Sequence, residues 1–257
     1  MVVGAGPAGL SAAISAAQCG HKVSVFEKNR WAGGQFRLGA VPPAKGEMVN
    51  FINWQLNELK KLDVPVNFET EVNEALVEKE NPEVIIAATG ATPIIPKKIK
   101  GSDGSNVVTS LDVLSGKANT GANVVVIGGG SVGAETANHL ASNLRCVTLV
   151  EMLDDIAMDE QIVPRWGLLA DLKKNEVKIL TSTTVKEIRE NSVVLSGAFE
   201  GEVKADTIVI SVGSLPNTAF ADALKAKGRD VRIIGDAGKV GLVAKAIMDG
   251  FLLGRAL

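Results

Sequence analysis

The sequence predicts an α/β protein built from two copies of one βαβ unit. The pattern G-x-G-x-x-G begins at Gly4 and again at Gly128, 124 residues later, each time between an apolar strand and a helix. Glu27 and Glu151 each follow the first glycine of their copy by the same 23 residues, and each ends a second apolar strand. One glycine pattern of this kind is weak support. Two copies with matched acids form the complete dinucleotide-binding fingerprint twice.

Each residue type in the fingerprint has its own physical role. The first glycine makes the turn from strand to helix, the second lets the backbone approach a pyrophosphate, and the third lets the helix pack on the strand. The phosphates bind exposed N–H groups at the helix N-terminus, where the helix dipole favours negative charge. The acid accepts hydrogen bonds from ribose hydroxyls. Two dinucleotide sites are therefore predicted, at Gly4, Gly6, Gly9 and Glu27 and at Gly128, Gly130, Gly133 and Glu151.

The elements of the first unit follow from local patterns. A strand stub at 2–3 precedes an Ala-rich helix at 7–19, which has Pro7 at its start and Gly20 just after its end. Residues 22–27 alternate as a strand, and a helix is expected over 47–62 because Ile52, Leu56 and Leu59 have helical spacing. The apolar run 84–88 predicts a further strand.

The second unit repeats this order. Strands at 123–127 and 146–151 flank a helix at 132–143, and short β-type runs between 181 and 204 indicate a small antiparallel meander. A strand at 207–212 ends in Gly213 and is followed by Pro216, as the strand 84–88 is followed by Gly90 and Pro93. The repeat therefore extends beyond the acids.

The last strand, 231–234, and the last helix, 240–257, carry no third fingerprint, so we assign them to the first unit. The predicted fold is two Rossmann-like dinucleotide-binding domains, the second inserted in the first. The first domain comprises residues 1–95 plus 213–257, and the second comprises 104–212, with chain crossings near 93–104 and 213–218.

Composition narrows the class of protein. A length of 257 residues suits two domains, and a net charge of −2 without a basic stripe argues against a nucleic-acid partner. Apolar residues make up 46% of the chain, yet no apolar run is long enough to span a membrane. Cys19 and Cys146 stand alone, which argues against an iron–sulfur or zinc site and predicts two reduced, buried thiols in a cytoplasmic protein.

The order of short motifs resembles the flavoproteins related to glutathione reductase, which have two dinucleotide-binding domains. These motifs are G-A-G-P-A-G from Gly4, E-K from Glu27, G-G-Q from Gly33, A-T-G from Ala88, G-G-G-S-V-G from Gly128, V-E-M from Val150 and I-G-D from Ile234. The runs V-P-P-A-K from Val41, V-T-L-V-E-M-L from Val147 and A-I-M-D-G-F from Ala246 are similar to the C-terminal half of 2,4-dienoyl-CoA and 2-enoate reductases. Those enzymes belong, with trimethylamine dehydrogenase, to the NADH:flavin oxidoreductase branch of the old yellow enzyme family.

The resemblance covers essentially the whole chain and implies roles for individual residues. It implies that FAD binds at Gly4, Gly6, Pro7, Ala8, Gly9, Glu27, Lys28, Gly33, Gly34, Gln35, Thr89, Gly90, Gly235 and Asp236. It implies that NADH binds at Gly128, Gly130, Ser131, Val132, Gly133, Glu151 and Gly213. Glu135 would approach the nicotinamide, or would instead be an ordinary acid in the first turn of a helix.

In that branch an N-terminal TIM barrel carries FMN, a 4Fe–4S cluster and the substrate site. None of it is present in this sequence, and only three residues precede the first glycine turn, so we expect a fragment of a larger enzyme that begins at its FAD domain. The barrel would then be the partner of this chain. No catalytic acid, base or nucleophile is expected, because hydride transfer between nicotinamide and flavin needs orientation and exclusion of water.

Three functions remain open on sequence alone. The first is a module that takes hydride from NADH onto FAD and passes electrons to a barrel that reduces an activated C=C bond. The second is a stand-alone NADH:acceptor reductase, resembling ferredoxin reductase or NADH oxidase. The third is a non-catalytic module that holds only ADP, as in trimethylamine dehydrogenase. Disulfide reduction is disfavoured because no paired cysteines follow Gly33-Gly34-Gln35.

Overall fold

The computed structural model describes residues 1–257 as strands and helices arranged in two compact units. The strands are β1 (Val2–Val3), β2 (Val25–Phe26), β3 (Val66–Asn67), β4 (Ile85–Ala87), β5 (Ala91–Pro93), β6 (Val107–Thr109), β7 (Asn123–Ile127), β8 (Cys146–Val150), β9 (Lys178–Leu180), β10 (Thr183–Ile188), β11 (Ser192–Gly197), β12 (Gly201–Lys204), β13 (Thr207–Ile210), β14 (Ser214–Pro216) and β15 (Val231–Ile233). The helices are α1 (Pro7–Gln18), α2 (Gly34–Leu38), α3 (Met48–Lys61), α4 (Glu74–Glu80), α5 (Ser110–Leu114), α6 (Ser131–Ser142), α7 (Ile162–Lys174), α8 (Ala219–Ala226) and α9 (Val243–Arg255).

The first unit comprises Met1–Ala40, Glu47–Thr92 and Ser214–Leu257. Its parallel sheet has the strand order β15-β4-β1-β2-β3, so the last strand of the chain lies beside β4. Successive residues of each strand face opposite sides, as pleating requires. Val2, Val25 and Ile86 therefore pack with α1, α3 and α9, whereas Val3, Phe26 and Ile85 pack with α4 and α8.

The second unit comprises Val41–Gly46 and Pro93–Gly213. Its parallel sheet has the order β6-β13-β7-β8-β9, and the predicted antiparallel meander is confirmed as the sheet β10-β11-β12. Val124 and Val126 face α6 and α7, while Val125 and Ile127 face the meander. The sequence placed 41–46 within the first domain, whereas in the structure this segment clusters with the second unit.

Most predicted elements lie within a few residues of the observed ones. Two predicted elements are clearly shorter in the structure: the predicted strand 22–27 is a strand only over Val25–Phe26, and the predicted helix 240–257 is helical over Val243–Arg255. The strand β1 beside β2 contributes only Val2 and Val3 to the pairing, so that ladder is short. No helix is long and apolar enough to cross a membrane.

The expectation of buried thiols is wrong. Cys19 and Cys146 are both exposed. Cys19 caps the C-terminus of α1, beyond the buried part of the helix, and Cys146 is the first residue of β8, ahead of its four buried residues. Both cysteines lie where their elements reach the surface.

Candidate dinucleotide-binding sites

The turn between β1 and α1 has the backbone that the first fingerprint requires. Gly4 has a φ of +105°, and a Cβ there would lie 2.3 Å from the Ala88 carbonyl oxygen. A Cβ on Gly9 would lie 2.0 Å from the Gly4 carbonyl oxygen. Around Gly6, in contrast, no atom lies within 4 Å of the Cβ position. Two glycines are therefore required by the fold, while Gly6 leaves open space where a pyrophosphate can approach the backbone.

The N-terminus of α1 in this first site is free of side-chain caps. Gly6 is the N-cap residue, Pro7 follows it, and no side chain accepts a hydrogen bond from the first turn. The first amides of a helix have no partner within the helix. The amides of the first turn are thus available to an anion, and the open space at Gly6 is where the phosphates of FAD would fit.

Glu27 lies buried at the end of β2, with 6% of its surface exposed. Its Oε2 accepts a hydrogen bond from the Ala5 amide at 2.9 Å. Its Oε1 accepts from the backbone and side-chain nitrogens of Asn29 at 2.8 and 2.7 Å. The carboxylate is therefore oriented against the glycine turn, where a ribose would follow the phosphates. The sequence analysis did not foresee the part played by Asn29.

The G-G-Q turn lies against the first fingerprint. The Gly33 amide donates to the Ala5 carbonyl at 2.7 Å, and a Cβ on Gly34 would lie 3.6 Å from the Gly6 Cα. The Gln35 side chain donates from Nε2 to the Ala91 carbonyl at 2.8 Å. These contacts hold Gly33 and Gly34 against the first glycine turn and tie Gln35 to the segment that follows β4.

Thr89, Gly90 and Lys28 are further predicted FAD residues of the first unit. The Thr89 hydroxyl donates to the Asn217 carbonyl at 2.7 Å, and the Asn217 amide donates to the Gly90 carbonyl at 3.0 Å. These bonds hold the end of β4 against the returning chain. Lys28 is exposed beside Glu27, with no side-chain hydrogen bond to another residue.

Gly235 and Asp236 reach the first site from the other end of the chain. The Ile234 amide donates to the Ala87 carbonyl at 3.1 Å, and a Cβ on Gly235 would lie 2.8 Å from the Ala8 Cβ. Burial raises the pKa of the Asp236 carboxyl above its usual value, although the Gly241 amide donates to it at 3.1 Å and opposes the rise. Gly235 therefore stands beside the first turn of α1, and Asp236 follows it in the turn after β15.

The second fingerprint repeats the first in its backbone. Gly128 has a φ of +103°, and a Cβ on Gly133 would lie 1.9 Å from the Gly128 carbonyl oxygen. Glu151 is 8% exposed and accepts from the Gly129 amide at 2.5 Å and from the Leu153 amide at 2.8 Å. The acid is thus held against its turn in the same way as Glu27.

The N-terminus of α6 differs from that of α1, because a side chain from elsewhere lies on it. Asp159 Oδ1 accepts from the Ser131 amide at 2.8 Å, and its Oδ2 lies 2.8 Å from the Ser131 hydroxyl, which donates to it. Val132 is exposed and Gly133 is buried. Gly213 follows β13, and its carbonyl accepts from the Ile94 amide at 2.9 Å.

Glu135 lies on α6 and is 9% exposed. Its Oε1 forms an ion pair with the Lys45 ammonium. Burial raises the pKa of Glu135 above its usual value, and the Lys45 contact opposes that rise. The helix α6 begins at Ser131 and has no acid in its first turn, so Glu135 lies beyond that turn and is buried, unlike a surface acid at a helix N-terminus.

The sequence analysis missed three residues that contact the predicted site residues, namely Asn29, Lys45 and Asp159. Lys45 belongs to the V-P-P-A-K run that carried the family resemblance, so that motif could have indicated its importance. The Asn29 backbone contact with Glu27 is repeated by Leu153 at Glu151, but the Asn29 side-chain contact and the Asp159 contact with Ser131 have no counterpart in the other copy of the fingerprint. No repeat-based comparison could have identified these two.

Two glycine turns, two helix N-termini and two oriented acids define a protein that binds two dinucleotides. Residues 1–238 match the pyridine nucleotide-disulphide oxidoreductase family, and the chain belongs to that family. The chain is therefore the FAD- and NAD(P)H-binding module of a flavin-dependent oxidoreductase, with an α/β Rossmann-like fold.

Several proteins of known name are similar to nearly the whole of this chain. The chain is 38% identical over 259 residues to an NADH oxidase of Thermoanaerobacter brockii, covering 98% of this chain and 40% of that protein. It is 32% identical over 255 residues to a cinnamate reductase of Clostridium sporogenes, covering 98% of this chain and 38% of that protein. The chain thus spans about two fifths of the length of the curated relatives it matches.

A solved structure is likewise similar to the whole of this chain and is also much longer than it. A 2-naphthoyl-CoA reductase in complex with 2-naphthoyl-CoA superposes with a TM-score of 0.95 at 32% sequence identity, covering 100% of this chain and 39% of that chain. The chain corresponds to the FAD- and NAD-binding half of enzymes like those of the old yellow enzyme family, as its motifs predicted.

Proposed function

We propose that this module takes hydride from NADH onto FAD and delivers the electrons to a separate part of the same polypeptide, an N-terminal barrel with FMN and a 4Fe–4S cluster. That barrel would reduce an activated C=C bond of an enoate or acyl-CoA type. The observation that carries the proposal is the pair of matched glycine turns, each with its buried acid. The names of the cinnamate and 2-naphthoyl-CoA reductases support the substrate class.

In this proposal the residues of the chain bind the two dinucleotides and orient them toward each other. When bound, FAD would accept hydride from NADH and pass electrons on singly or in pairs. Gly6 and the first turn of α1 would hold its phosphates, and Glu27 its adenosine ribose. Asp236 follows Gly235, which packs against Ala8 of α1. At the second site Gly130 and the first turn of α6 would hold the phosphates of NADH, and Glu151 its ribose.

The Lys45–Glu135 pair is the only ion pair that the structure places on α6, and its acid is largely buried. A carboxylate in this state is expensive to ionise unless a cation remains beside it. The first turn of α6 is where the phosphates of NADH would bind, and Glu135 lies beyond that turn. We therefore assign the pair a positioning role near the nicotinamide end of the second site. No proton transfer by either residue is required.

Reconstitution tests the proposal. The chain is incubated with FAD, freed of excess flavin, and titrated anaerobically with NADH while the flavin absorbance near 450 nm is followed. We expect FAD to bind, NADH to bleach it, and an artificial dye to be reduced slowly with turnover. We expect no turnover of cinnamate or an enoyl-CoA by the chain alone.

The alternatives give different results in the same experiment. The second candidate is a stand-alone NADH:acceptor reductase; an NADH oxidase is among the similar proteins, although this chain covers only 40% of it. Rapid NADH turnover with oxygen by the chain alone would support that candidate. Binding of ADP with no binding of FAD, by a folded chain, would show a non-catalytic nucleotide module. Steady reduction of an enoate by the chain alone would refute the modular proposal.

A further inference from the structure

The two fingerprints differ at their helix N-termini. At α6 both carboxylate oxygens of Asp159 are engaged by Ser131, one by its amide and one by its hydroxyl, each at 2.8 Å. A Cβ on Gly130 would lie 3.7 Å from both of these oxygens. The carboxylate thus stands beside the second glycine of the fingerprint, which is where the phosphates of a dinucleotide bind.

The first fingerprint cannot hold a carboxylate in this way. Pro7 is the counterpart of Ser131 in the repeat, and it has neither an amide hydrogen nor a hydroxyl. No side chain caps α1, and nothing lies within 4 Å of the Cβ position of Gly6. One copy of the fingerprint is open, and the other carries an internal anion.

We propose that Asp159 is an internal competitor of the NADH phosphates, which must leave the N-terminus of α6 before the nucleotide binds. This inference rests on the proposed role of the second fingerprint as the NADH site. The positive end of the helix dipole favours one anion, and a carboxylate and a pyrophosphate in contact there would repel each other. Binding of NADH is therefore coupled to displacement of the Asp159 side chain.

The surrounding loop allows this displacement without disturbing the rest of the site. The Ala157 amide donates to the Gly129 carbonyl at 2.7 Å, and Ile156 and Ala157 are buried. These contacts anchor the loop beside Glu151. Asp159 lies two residues later, is exposed, and precedes α7. Rotation of its side chain can release Ser131 while Glu151 keeps both of its backbone contacts.

A competing Asp159 carboxylate at only one site is consistent with the different roles proposed for the two nucleotides. FAD is to be retained through many turnovers, whereas NADH must bind and NAD⁺ must leave in every turnover. If the capped state is about ten times more populated than the open one, the apparent affinity for the nucleotide falls by about tenfold. A carboxylate that returns to Ser131 would lower the affinity for the product as well as for NADH.

The test compares Asp159→Asn and Asp159→Ala with wild type in NADH binding, followed by nucleotide fluorescence, and in thermal unfolding without nucleotide. Glu160→Gln is the matched control, because it removes the same charge from the adjacent residue, whose carboxylate accepts from the Gln161 amide instead. FAD binding at the first site is measured for every variant.

We expect both Asp159 variants to bind NADH about tenfold more tightly, with FAD affinity unchanged, and Glu160→Gln to change NADH affinity less than twofold. We also expect Asp159→Ala to melt a few degrees lower without nucleotide, because α6 loses its cap. Lower melting with unchanged or weaker NADH binding would show a purely structural cap and overturn the inference. An equal gain in Glu160→Gln would show a general charge effect and overturn it too. Failure of wild type and all variants to bind NADH would refute the proposed nicotinamide site, and the inference with it.

Discussion

Alanine at two glycines of the first fingerprint separates the requirements of the fold from those of the cofactor. In Gly9→Ala the new Cβ would lie 2.0 Å from the Gly4 carbonyl oxygen, far inside van der Waals contact, and both atoms belong to backbone. In Gly6→Ala the Cβ enters open space. Gly6 also has a φ of −76° and a ψ of 174°, which alanine adopts without strain.

The expected magnitudes follow from these distances. Forcing a methyl group into a packed contact typically costs about 1–3 kcal/mol, and here α1 would have to move away from β1. At about 2–4 °C per kcal/mol, Gly9→Ala should lower the melting temperature by several degrees. Gly6→Ala weakens an N-cap position by less than about 1 kcal/mol, and the reduced freedom of the unfolded chain offsets part of that. Its methyl group would occupy the position that we propose for the phosphates.

Both variants and the wild type are examined by thermal unfolding, followed by far-UV circular dichroism, and by FAD titration. Gly6→Ala should keep the melting temperature within about 2 °C of wild type and lose most of its FAD affinity, whereas Gly9→Ala should lose stability first. Wild-type FAD affinity in Gly6→Ala would show that the phosphates do not approach this glycine. Equal destabilisation by the two substitutions would show that a methyl group does not fit at Gly6.

Three other predictions concern the second site and the thiols. The FAD-loaded chain should be reduced by NADH about tenfold to a hundredfold faster than by NADPH at matched subsaturating concentrations. The reason is that Glu151 and the nearby Asp154 and Asp155 would repel a 2′-phosphate, while the Arg165 side chain is held by Asp155 at 2.5 Å. Equal rates with the two nucleotides would contradict this prediction. Since burial raises the pKa of Glu135 in the folded chain, its ionisation costs stability as the pH rises above the usual carboxyl range. Glu135→Gln should therefore match wild type in acid and exceed it in free energy of unfolding towards neutral pH, while Lys45→Met should fall further below wild type over the same range; denaturant titrations between pH 4 and pH 8 that show parallel curves would refute this. Cys19 and Cys146 are exposed, so a disulfide reagent that reacts with thiols should modify both cysteines in the folded protein. If either cysteine reacted only after denaturant was added, the result would contradict the structure.

Much of the fold could be predicted because its signals are local. The helices α1, α3 and α6 were predicted from capping residues and helical spacing, and each lies within about two residues of its expected bounds. Five helices were not predicted. The helices α2, α4, α5 and α8 have only five to eight residues, which carry too few periodic positions. The helix α7 has 13 residues, but it contains Pro164 and Gly167 and buries only Leu172, so it shows no clear apolar stripe. Buried thiols were wrongly expected, because the average burial of cysteine does not tell whether a residue stands at the end of its element.

Within the candidate site, the sequence predicted residues that the backbone itself requires. Gly4 and Gly128 have positive φ, and Glu27 and Glu151 end their strands beside the turns. It could not predict contacts between side chains that are distant in sequence and follow no repeat. Lys45 reaches Glu135 across 90 residues of chain, and Asp159 reaches Ser131 across 28. Such pairs depend on the packed loops and not on any local pattern.

The two sheets explain why the first site depends on the whole length of the chain. Both have the same strand order around a central strand, but the strand beside β13 is β6, which precedes the fingerprint of its unit, whereas the strand beside β4 is β15, which follows the entire second unit. The second sheet is therefore completed within residues 107–210. The first sheet is completed only when β15 pairs with β4, and the turn that follows β15 brings Gly235 to Ala8. Because that pairing sets both the edge of the sheet and the last part of the proposed FAD site, we expect that removing the segment after the second unit would lower the melting temperature and abolish FAD binding together.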